Sequence, residues 1–395
     1  MKATRREAFL ALVLGSVVGI AGIECVGRTY ATLHPSYDVL FLQPDRVLGW
    51  KQVPGLRWSW AGTGWYAMDF SVDIETNSHG FRDAERTPAR PEGTTRIALL
   101  GDSLVEAAQV PLEKTAGALL ERRLNAEVAG ATGTPASFEV LNFGITNYSV
   151  GQFLLVWEEY ANRFDPDFVF VLVDPLHMRR TTHAVKGGAF TSTRGRHLHI
   201  RPTFEYRDGQ LVRHPATDYA EFVELQERLI RGEFNGSRMR RKPQSLSGPS
   251  MLGVLWSRVP SLSEFLGPPP RGAMRKLRAR VGVDKPLAAL NLRILAELGR
   301  QVERPDAQLI LVDVSRYFSQ TSRSLPEALQ GFCARRGFGY VDLSESMLAA
   351  NDAGVSTRWR HDVHFNQAGN EIFARAMFEW LAPRLDQGGS RQTNP

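Results

Sequence analysis

The stretch RIALLGDSLVEAAQV, residues 96–110, places Gly-Asp-Ser directly after an apolar run. The run is typical of a buried strand, and a helix is expected to follow it. In open α/β sheets, reactive groups gather where strands end at their carboxyl side. Ser103 stands at that position, one residue after Asp102. It is either a nucleophile or a serine that caps the next helix, since serine is favoured at helix N-caps.

Strands and helices alternate on both sides of this stretch. Apolar strands that are nearly continuous and joined by helices require a parallel sheet covered on both faces. The predicted fold is therefore α/β, a three-layer doubly wound parallel sheet. Its predicted strands are 96–101, 138–144, 167–173, 307–315 and 338–344, and its helices are 112–127, 150–164, 287–302, 325–336 and 370–381, with Pro383 ending the last.

The alternation is interrupted by a large insertion at 177–285, part lid and part loop. Within it, FEYRDGQLVRH predicts a hairpin with Asp-Gly at the turn, and YAEFVELQERLIRG predicts a helix. The predicted organisation is an anchor or signal segment at 1–27, a Trp-rich extension at 28–92, the first half of the α/β domain at 93–176, the insertion or lid at 177–285, the second half at 286–385 and a flexible tail at 386–395.

The N-terminus has the pattern of a membrane anchor. Lys2, Arg5 and Arg6 precede a run without charge at 8–23, which is short for a spanning helix of about 20 residues but is extended by Cys25 and Val26. We expect an uncleaved single-pass membrane helix with the rest of the chain on the periplasmic or extracytoplasmic side. A cleaved signal peptide and a buried helix remain alternatives.

The extension at 28–92 is rich in tryptophan. The alternation over 70–74 predicts a half-buried strand. We interpret its tryptophans as packing groups rather than a ligand cage: Trp50, Trp58, Trp60 and Trp65.

Composition excludes some classes of protein. The 395 residues are 43% hydrophobic and 23% charged, which indicates a folded globular chain. The net charge of +6 raises the question of nucleic acid, but the basic clusters at 238–242 and 271–280 carry no nucleic-acid motif, so no specific nucleic-acid partner is expected. Cys25 and Cys333 make no disulfide framework, and Cys333 is expected to be a buried free thiol.

The histidine with the most suggestive surroundings is His364, in RWRHDVHFNQAG. Asp362 lies two residues before it, and an aspartate beside a catalytic histidine holds one ring tautomer and stabilises the imidazolium. His361, Asp362 and His364 are an alternative metal-ligand set, but no second cluster completes it. No metal and no cofactor is predicted.

At this point the sequence resembles the SGNH (GDSL-type) hydrolase superfamily. That family opens with a strand followed by Gly-Asp-Ser and ends with Asp and His before its last helix. VLNFGITNYSVGQFL resembles its second block, and LGWKQVPG and NSHGFRD resemble the extension of membrane-tethered bacterial members. The resemblance covers roughly residues 45–175 and 290–385. The Asp-x-His spacing is similar to the spacing found in enzymes that act on the O-acetyl groups of polysaccharides.

The resemblance implies a flavodoxin-like order of the sheet and a role for each motif residue. Ser103 would be the nucleophile, His364 the general base and Asp362 its orienting partner. Asp102 and Gly144 match supporting positions of the motifs.

The resemblance also implies an oxyanion hole. The family builds it from the serine N–H, a glycine N–H and an asparagine side chain. Ser103 matches the first donor, and Asn147 stands where the glycine belongs, with its backbone N–H retained. The asparagine is missing, because Asp174 and His177 occupy that region. An ionised Asp174 would repel an oxyanion, while His177 or the amide of Asn147 could donate.

Two functions of different classes follow. The first is a serine esterase or O-acyltransferase that acts on a small-molecule or glycan ester through an acyl-serine intermediate. The second, motivated by the missing asparagine and the Trp-rich extension, is a catalytically inactive SGNH-like module that binds a glycan or a partner in the cell envelope.

Overall fold

The computed structural model describes residues 41–61, 69–128, 137–183, 198–231, 283–304, 307–318, 324–360 and 362–388, and isolated positions between 11 and 25. Trp65, His361, both basic clusters, the last residues of the predicted tail and most of the predicted anchor lie outside these residues. Over the part of the chain that the structure describes, we find no helix with the length and apolar character needed to cross a bilayer. The membrane anchor stays a prediction.

The strands and helices follow the predicted alternation closely. The strands are β1 Leu42–Asp45, β2 Gly49–Gln52, β3 Arg57–Ala61, β4 Ser71–Glu75, β5 Thr94–Leu100, β6 Ser137–Asn142, β7 Phe168–Val173, β8 Thr203–Arg207, β9 Gln210–His214, β10 Gln308–Asp313 and β11 Gly339–Asp342. The helices are α1 Ser103–Glu106, α2 Ala116–Glu127, α3 Val150–Glu159, α4 Pro175–Arg180, α5 Tyr219–Ile230, α6 Lys285–Val302, α7 Ser315–Phe318, α8 Ser324–Arg336, α9 Leu343–Asp352 and α10 Gln367–Gly388, with short 3₁₀ turns at Leu112–Lys114 and Ala161–Phe164.

The central sheet has five strands in the order β11-β10-β7-β5-β6, and every neighbouring pair is parallel. This order confirms the predicted doubly wound parallel sheet with flavodoxin-like topology. The chain leaves β5 first toward β6 on one side and later adds β7 on the other side. The crevice between the ends of β5 and β7 is therefore the place where such a fold binds ligands.

Alternate residues of the sheet enter two separate cores. Ala98 and Leu100 of β5 face the core on one side, while Ile97 and Leu99 face the other. This is why the strands read as continuous apolar runs, since a strand covered on both faces has no exposed side.

The extension and the insertion pack onto the first of these cores. Trp50 and Phe81 from the extension and Ile200 and Phe204 from the insertion are buried in the same cluster as the sheet residues. The alternation predicted at 70–74 is confirmed by β4, whose residues alternate between exposed and buried. Trp58 and Trp60 pack against that strand as predicted.

Two local predictions had different outcomes. The hairpin in the insertion is confirmed: β8 and β9 pair antiparallel, and Asp208 and Gly209 both have positive φ at the turn, as a two-residue hairpin loop requires. The prediction that Pro383 ends the last helix is wrong, because α10 continues through it. Leu381 before the proline is fully buried and Leu385 after it packs on the same core, so contacts on both sides hold the helix.

Candidate active site

The Gly-Asp-Ser turn begins at the carboxyl end of β5. Asp102, and not Ser103, is the N-cap of α1, because its side chain accepts a hydrogen bond from the backbone N–H of Leu104 at 3.0 Å. Ser103 is the first residue of the helix, so its hydroxyl is not used as a cap. The helix is four residues long and ends at Ala107, which adopts a left-handed conformation with φ 52°.

The hydroxyl of Ser103 meets His364, which lies 261 positions further along the chain. Oγ of Ser103 is 2.8 Å from Nε2 of His364. The other ring nitrogen, Nδ1, hydrogen bonds to Oδ1 of Asp362, and the same oxygen accepts the backbone N–H of His364 at 2.7 Å. Because a carboxylate can only accept, it holds the proton on Nδ1 and leaves Nε2 free to accept the serine proton.

The histidine loop is tied to its surroundings by backbone contacts. The carbonyl of His364 accepts the N–H of Trp359 at 3.3 Å, and the next residue, Phe365, is buried in the second core. The amide of Asn366 donates to the carbonyl of Ser356 at 2.7 Å and closes the base of the loop. The imidazole is therefore presented on a fixed backbone.

The second motif follows β6 and forms a loop beside the serine. The side chain of Asn142 donates to the carbonyl of Val105 at 2.9 Å and accepts the N–H of Gly144 at 2.9 Å. A Cβ on Gly144 would lie 2.4 Å from the backbone nitrogen of Glu106. Only glycine allows this approach, so Gly144 holds the loop against α1.

Asn147 occupies the third position of a tight turn closed by the N–H of Tyr148 and the carbonyl of Ile145 at 3.3 Å. Its φ is +68°. Glycine is the usual residue at such a position and asparagine tolerates it better than other residues, which explains the replacement physically. The backbone N–H groups of Ser103 and Asn147 donate to nothing within the described residues.

The 145–148 loop is held by two other parts of the chain, the extension and the insertion. Trp50 of the extension donates its indole N–H to the carbonyl of Thr146 at 3.3 Å, and its own carbonyl accepts the hydroxyl of Tyr148. Arg201 of the insertion, which is buried, donates to the carbonyl of Asn147 at 3.0 Å. Hydrogen bonds from separate elements over-determine the strained turn, as such conformations require.

Asp174 and His177 occupy the region where the asparagine is missing, and both are engaged by other groups of the protein. The carboxylate of Asp174 is the N-cap of α4 and accepts the N–H of His177 at 2.7 Å. The fully buried ring of His177 places Nε2 3.0 Å from Oδ2 of Asp102 and Nδ1 beside the N–H of Asp174 at 3.2 Å. Of the two predicted alternatives to the missing asparagine, His177 therefore lies against Asp102, while the side chain of Asn147 has no hydrogen-bond partner within the described residues.

Asp102 is the centre of a buried charge cluster. Burial alone would raise its pKa, but His177 and Arg180 hold the pKa of Asp102 well below its usual range. Burial alone would lower the pKa of His177, and the carboxylates of Asp102 and Asp174 raise it on balance. The carboxylate of Asp102 therefore stays ionised under the nucleophile.

Arg180 is a site residue that the sequence analysis missed. Its Nη1 donates to Oδ2 of Asp102 at 2.7 Å and to the carbonyl of Tyr148 at 3.1 Å. It is the last residue of α4, six residues after the region where an asparagine was expected. Residues 179 and 180 are both arginine, and the sequence does not indicate which of the two side chains turns toward Ser103.

Glu106 was also missed, although it belongs to the opening stretch. Its carboxyl is buried at the end of α1, and Oε1 accepts Nε2 of Gln52 at 2.7 Å. Burial raises the pKa of Glu106 to about 7, against the opposing attraction of Arg82 and His364. A buried carboxyl that titrates near neutrality thus lies within electrostatic reach of the histidine.

Arg82, from the NSHGFRD motif of the extension, holds the chain just after the nucleophile helix. It is 1% exposed and donates to the carbonyls of Glu106, Ala107 and Val110. The motif resemblance pointed to this segment, but it did not indicate that the arginine lies directly beneath the serine helix.

A metal centre at this site has no support in the described residues, which contain no group of three side chains of the His, Cys, Asp or Glu type placed to hold an ion. His361, one member of the alternative ligand set, lies outside them.

No family model matches the sequence, and a search of curated proteins finds no significant relative. Solved structures with a similar course include an acetylxylan esterase from Geobacillus stearothermophilus, at 11% identity and a TM-score of 0.38 over 73% of this chain and 95% of that one. A GDSL-like lipase from Parabacteroides merdae and an alpha/beta hydrolase enzyme from the metagenome of Lake Arreo each give 12% identity and a TM-score of 0.38 over 74% of this chain and 96% of theirs.

Proposed function

We propose that the chain is a serine esterase of the SGNH type, which hydrolyses an O-acyl ester or transfers its acyl group to another hydroxyl. The observation that carries the proposal is the 2.8 Å hydrogen bond from Ser103 Oγ to His364 Nε2, with Asp362 on the opposite ring nitrogen. A serine hydroxyl is a weak nucleophile until a base takes its proton, and this hydrogen bond supports His364 as that base.

The first half of the reaction acylates the serine. Oγ of Ser103 attacks the ester carbonyl carbon while Nε2 of His364 takes the hydroxyl proton, and Asp362 stabilises the imidazolium. The carbonyl oxygen becomes an oxyanion, and the backbone N–H groups of Ser103 and Asn147 are the donors that we propose for it. The bond to the leaving alcohol then breaks as His364 returns the proton to it, and an acyl-Ser103 ester remains.

The second half regenerates the serine. Water or a sugar hydroxyl attacks the acyl carbon and gives its proton to Nε2 of His364. The bond between the acyl carbon and Oγ of Ser103 then breaks, His364 returns the proton to Oγ, and an acid or a new ester leaves. A glycan ester is the substrate class that the Asp-x-His spacing favours by resemblance. We further propose a membrane-tethered enzyme facing the periplasmic or extracytoplasmic side, supported by the basic residues and apolar run of the N-terminus.

The proposal is tested with a fluorophosphonate probe and with 4-nitrophenyl acetate. We expect wild type to be labelled and to turn over the ester, and Ser103→Ala and His364→Ala to lose both signals. His214→Ala is a matched control, because His214 also pairs with a carboxylate, Glu205 at 2.9 Å, but on the exposed hairpin of the insertion. It is expected to behave as wild type.

Two outcomes would contradict the proposal. Full turnover by Ser103→Ala would rule out an acyl-serine intermediate. A folded wild type that is neither labelled nor active would leave the catalytically inactive binding module as the better description.

A further inference from the structure

The proposed esterase lacks the asparagine that the resemblance implies for its oxyanion hole. Asp174 is engaged as a helix cap and His177 lies against Asp102. We propose that Arg180 takes over this function and that its guanidinium is a third donor to the oxyanion formed at Ser103. The inference rests on the proposed function and adds a catalytic residue to it.

The position of Arg180 is the first argument. Its Nη1 bonds to the side chain of Asp102 at 2.7 Å and to the carbonyl of Tyr148 at 3.1 Å. Asp102 directly precedes Ser103, and Tyr148 directly follows Asn147. The guanidinium is thus fixed between the neighbours of the two residues whose backbone N–H groups face the reacting carbonyl.

The second argument is that Arg180 has donors to spare. An arginine carries five N–H groups in a rigid fork. Within the described residues, Nε and Nη2 of Arg180 donate to no partner, and neither is among the buried unpaired atoms. The side chain is 19% exposed, so it is not enclosed by the protein, and these N–H groups remain available to a bound substrate. Arg201, by contrast, is buried and bound to the backbone.

The third argument is electrostatic. The ionised carboxylate of Asp102 holds the guanidinium in place, since a buried carboxylate requires a charged partner. A fixed cation beside the place where negative charge develops stabilises the transition state without reorganisation. The charged groups around Arg180 include Asp102, His177 and Arg201, and Asp102 is the carboxylate in direct contact with the guanidinium. Arg180 offsets that charge.

The location in the chain fits a replacement. The resemblance places the missing asparagine after β7, and α4 begins at that point with Asp174. One short helix brings Arg180 back to the same end of the sheet, so a longer side chain from the end of α4 reaches the region that an asparagine at its start would have served.

The experiment measures kcat and KM for neutral 4-nitrophenyl acetate in wild type, Arg180→Ala, Arg180→Lys and the control Arg179→Ala. Loss of one oxyanion donor typically lowers kcat by about 10²–10³-fold, so we expect a fall of about 100-fold in Arg180→Ala with KM within about threefold. Arg180→Lys, which keeps the charge without the fork, is expected to recover part of the rate, and Arg179→Ala to match wild type.

Two further measurements separate a catalytic role from a positioning role. Millimolar guanidinium, below its denaturing range, is expected to raise the rate of Arg180→Ala and not that of Ser103→Ala. In an Asp102→Asn background, Arg180→Ala is expected to lower kcat again by at least about tenfold, as a direct donor would. No further loss in that background would mean that Arg180 acts only by holding Asp102, which overturns the inference.

The failure of this inference is distinct from the failure of the proposed function. Turnover that does not depend on Ser103 refutes the esterase itself. Turnover that depends on Ser103 but keeps its kcat in Arg180→Ala refutes only the role of Arg180. A rise in KM confined to a negatively charged ester, mono-4-nitrophenyl succinate, would also overturn it and make Arg180 a clamp for substrate carboxylates.

Discussion

Replacing Asn147 distinguishes the two ways in which this residue can serve the oxyanion. Its backbone N–H has no acceptor within the described residues and is present whatever its side chain is, whereas its side-chain amide is the part that a substitution removes. The side chain has no hydrogen-bond partner within the described residues, and φ is +68°. We expect the backbone N–H to be the donor, so Asn147→Gly should keep kcat within about threefold of wild type, against about 10²–10³-fold for the loss of a donor.

A second prediction concerns the free energy of unfolding and follows from the strain of the turn. A side chain with a Cβ costs about 1–2 kcal/mol in the left-handed region, and asparagine is the main exception besides glycine. Asn147→Ala should therefore lower the free energy of unfolding by about 1 kcal/mol, and Asn147→Gly should not. Asp208→Ala is the matched control, because Asp208 also has a positive φ, 50°, in the exposed hairpin of the insertion. It should lose similar stability and keep full activity.

The assays are steady-state kinetics on 4-nitrophenyl acetate and urea unfolding of all three variants and wild type. If Asn147→Gly turned over the ester about 100-fold more slowly than wild type at unchanged stability, the amide would be the donor and the reasoning from the backbone would be refuted. If Asn147→Ala were as stable as wild type, the explanation of the turn by strain at a positive φ would be refuted.

Three further predictions concern the residues that surround the serine helix. Glu106 has a folded pKa of about 7 against an ordinary value of 4.5, so the stability that its protonated form gives is present at low pH and is lost as the pH rises from about 4.5 through 7. Glu106→Gln should therefore be more stable than wild type at pH 8, by an amount of the order of 3 kcal/mol at most, with the difference vanishing below pH 5 in urea unfolding. Gly144→Ala should lower the free energy of unfolding by about 1–3 kcal/mol and reduce kcat, because its Cβ would meet the backbone of Glu106, while Gly331→Ala in the middle of α8 should be neutral or stabilising. Arg82→Met should cost about 3–5 kcal/mol, because it leaves the carbonyls of Glu106 and Val110 without the donor they have in wild type and removes one of the two donors to the carbonyl of Ala107. Arg57→Met, at an exposed position of β3, should leave the unfolding midpoint unchanged.

The elements of the fold could be predicted because their signals are local. The apolar runs at β5, β6 and β7 lie within one or two residues of the predicted strands, since a strand buried on both faces is built mainly from apolar residues. The hairpin could also be predicted from a local signal, Asp-Gly, because its turn requires positive φ at both positions. The prediction at Pro383 failed for the opposite reason. The rule that proline ends a helix depends on local sequence, whereas α10 is held by contacts with the core on both sides of the proline.

The residues of the proposed triad could be named from the sequence because each belongs to a short motif at the end of a strand or before a helix. The residues that hold the triad in place had no such signal. Gln52, Arg82 and Arg180 reach the site from the extension and from the end of α4, and their partners are 54, 24 and 78 positions away in sequence. An arginine that pairs through space looks, in sequence, like any solvent-exposed arginine.

The supporting contacts also bear on why the extension and the insertion exist. The helix that begins at Ser103 is only four residues long and ends in a left-handed residue, and the 145–148 loop contains a second one at Asn147. Isolated, neither would keep its conformation, because left-handed residues cost free energy and so short a helix has almost no intrinsic stability. Arg82 and Trp50 from the extension and Arg201 from the insertion hydrogen bond to the backbone at these two places. The α/β sheet therefore positions the serine, and the two added segments hold the strained backbone on which an oxyanion hole depends.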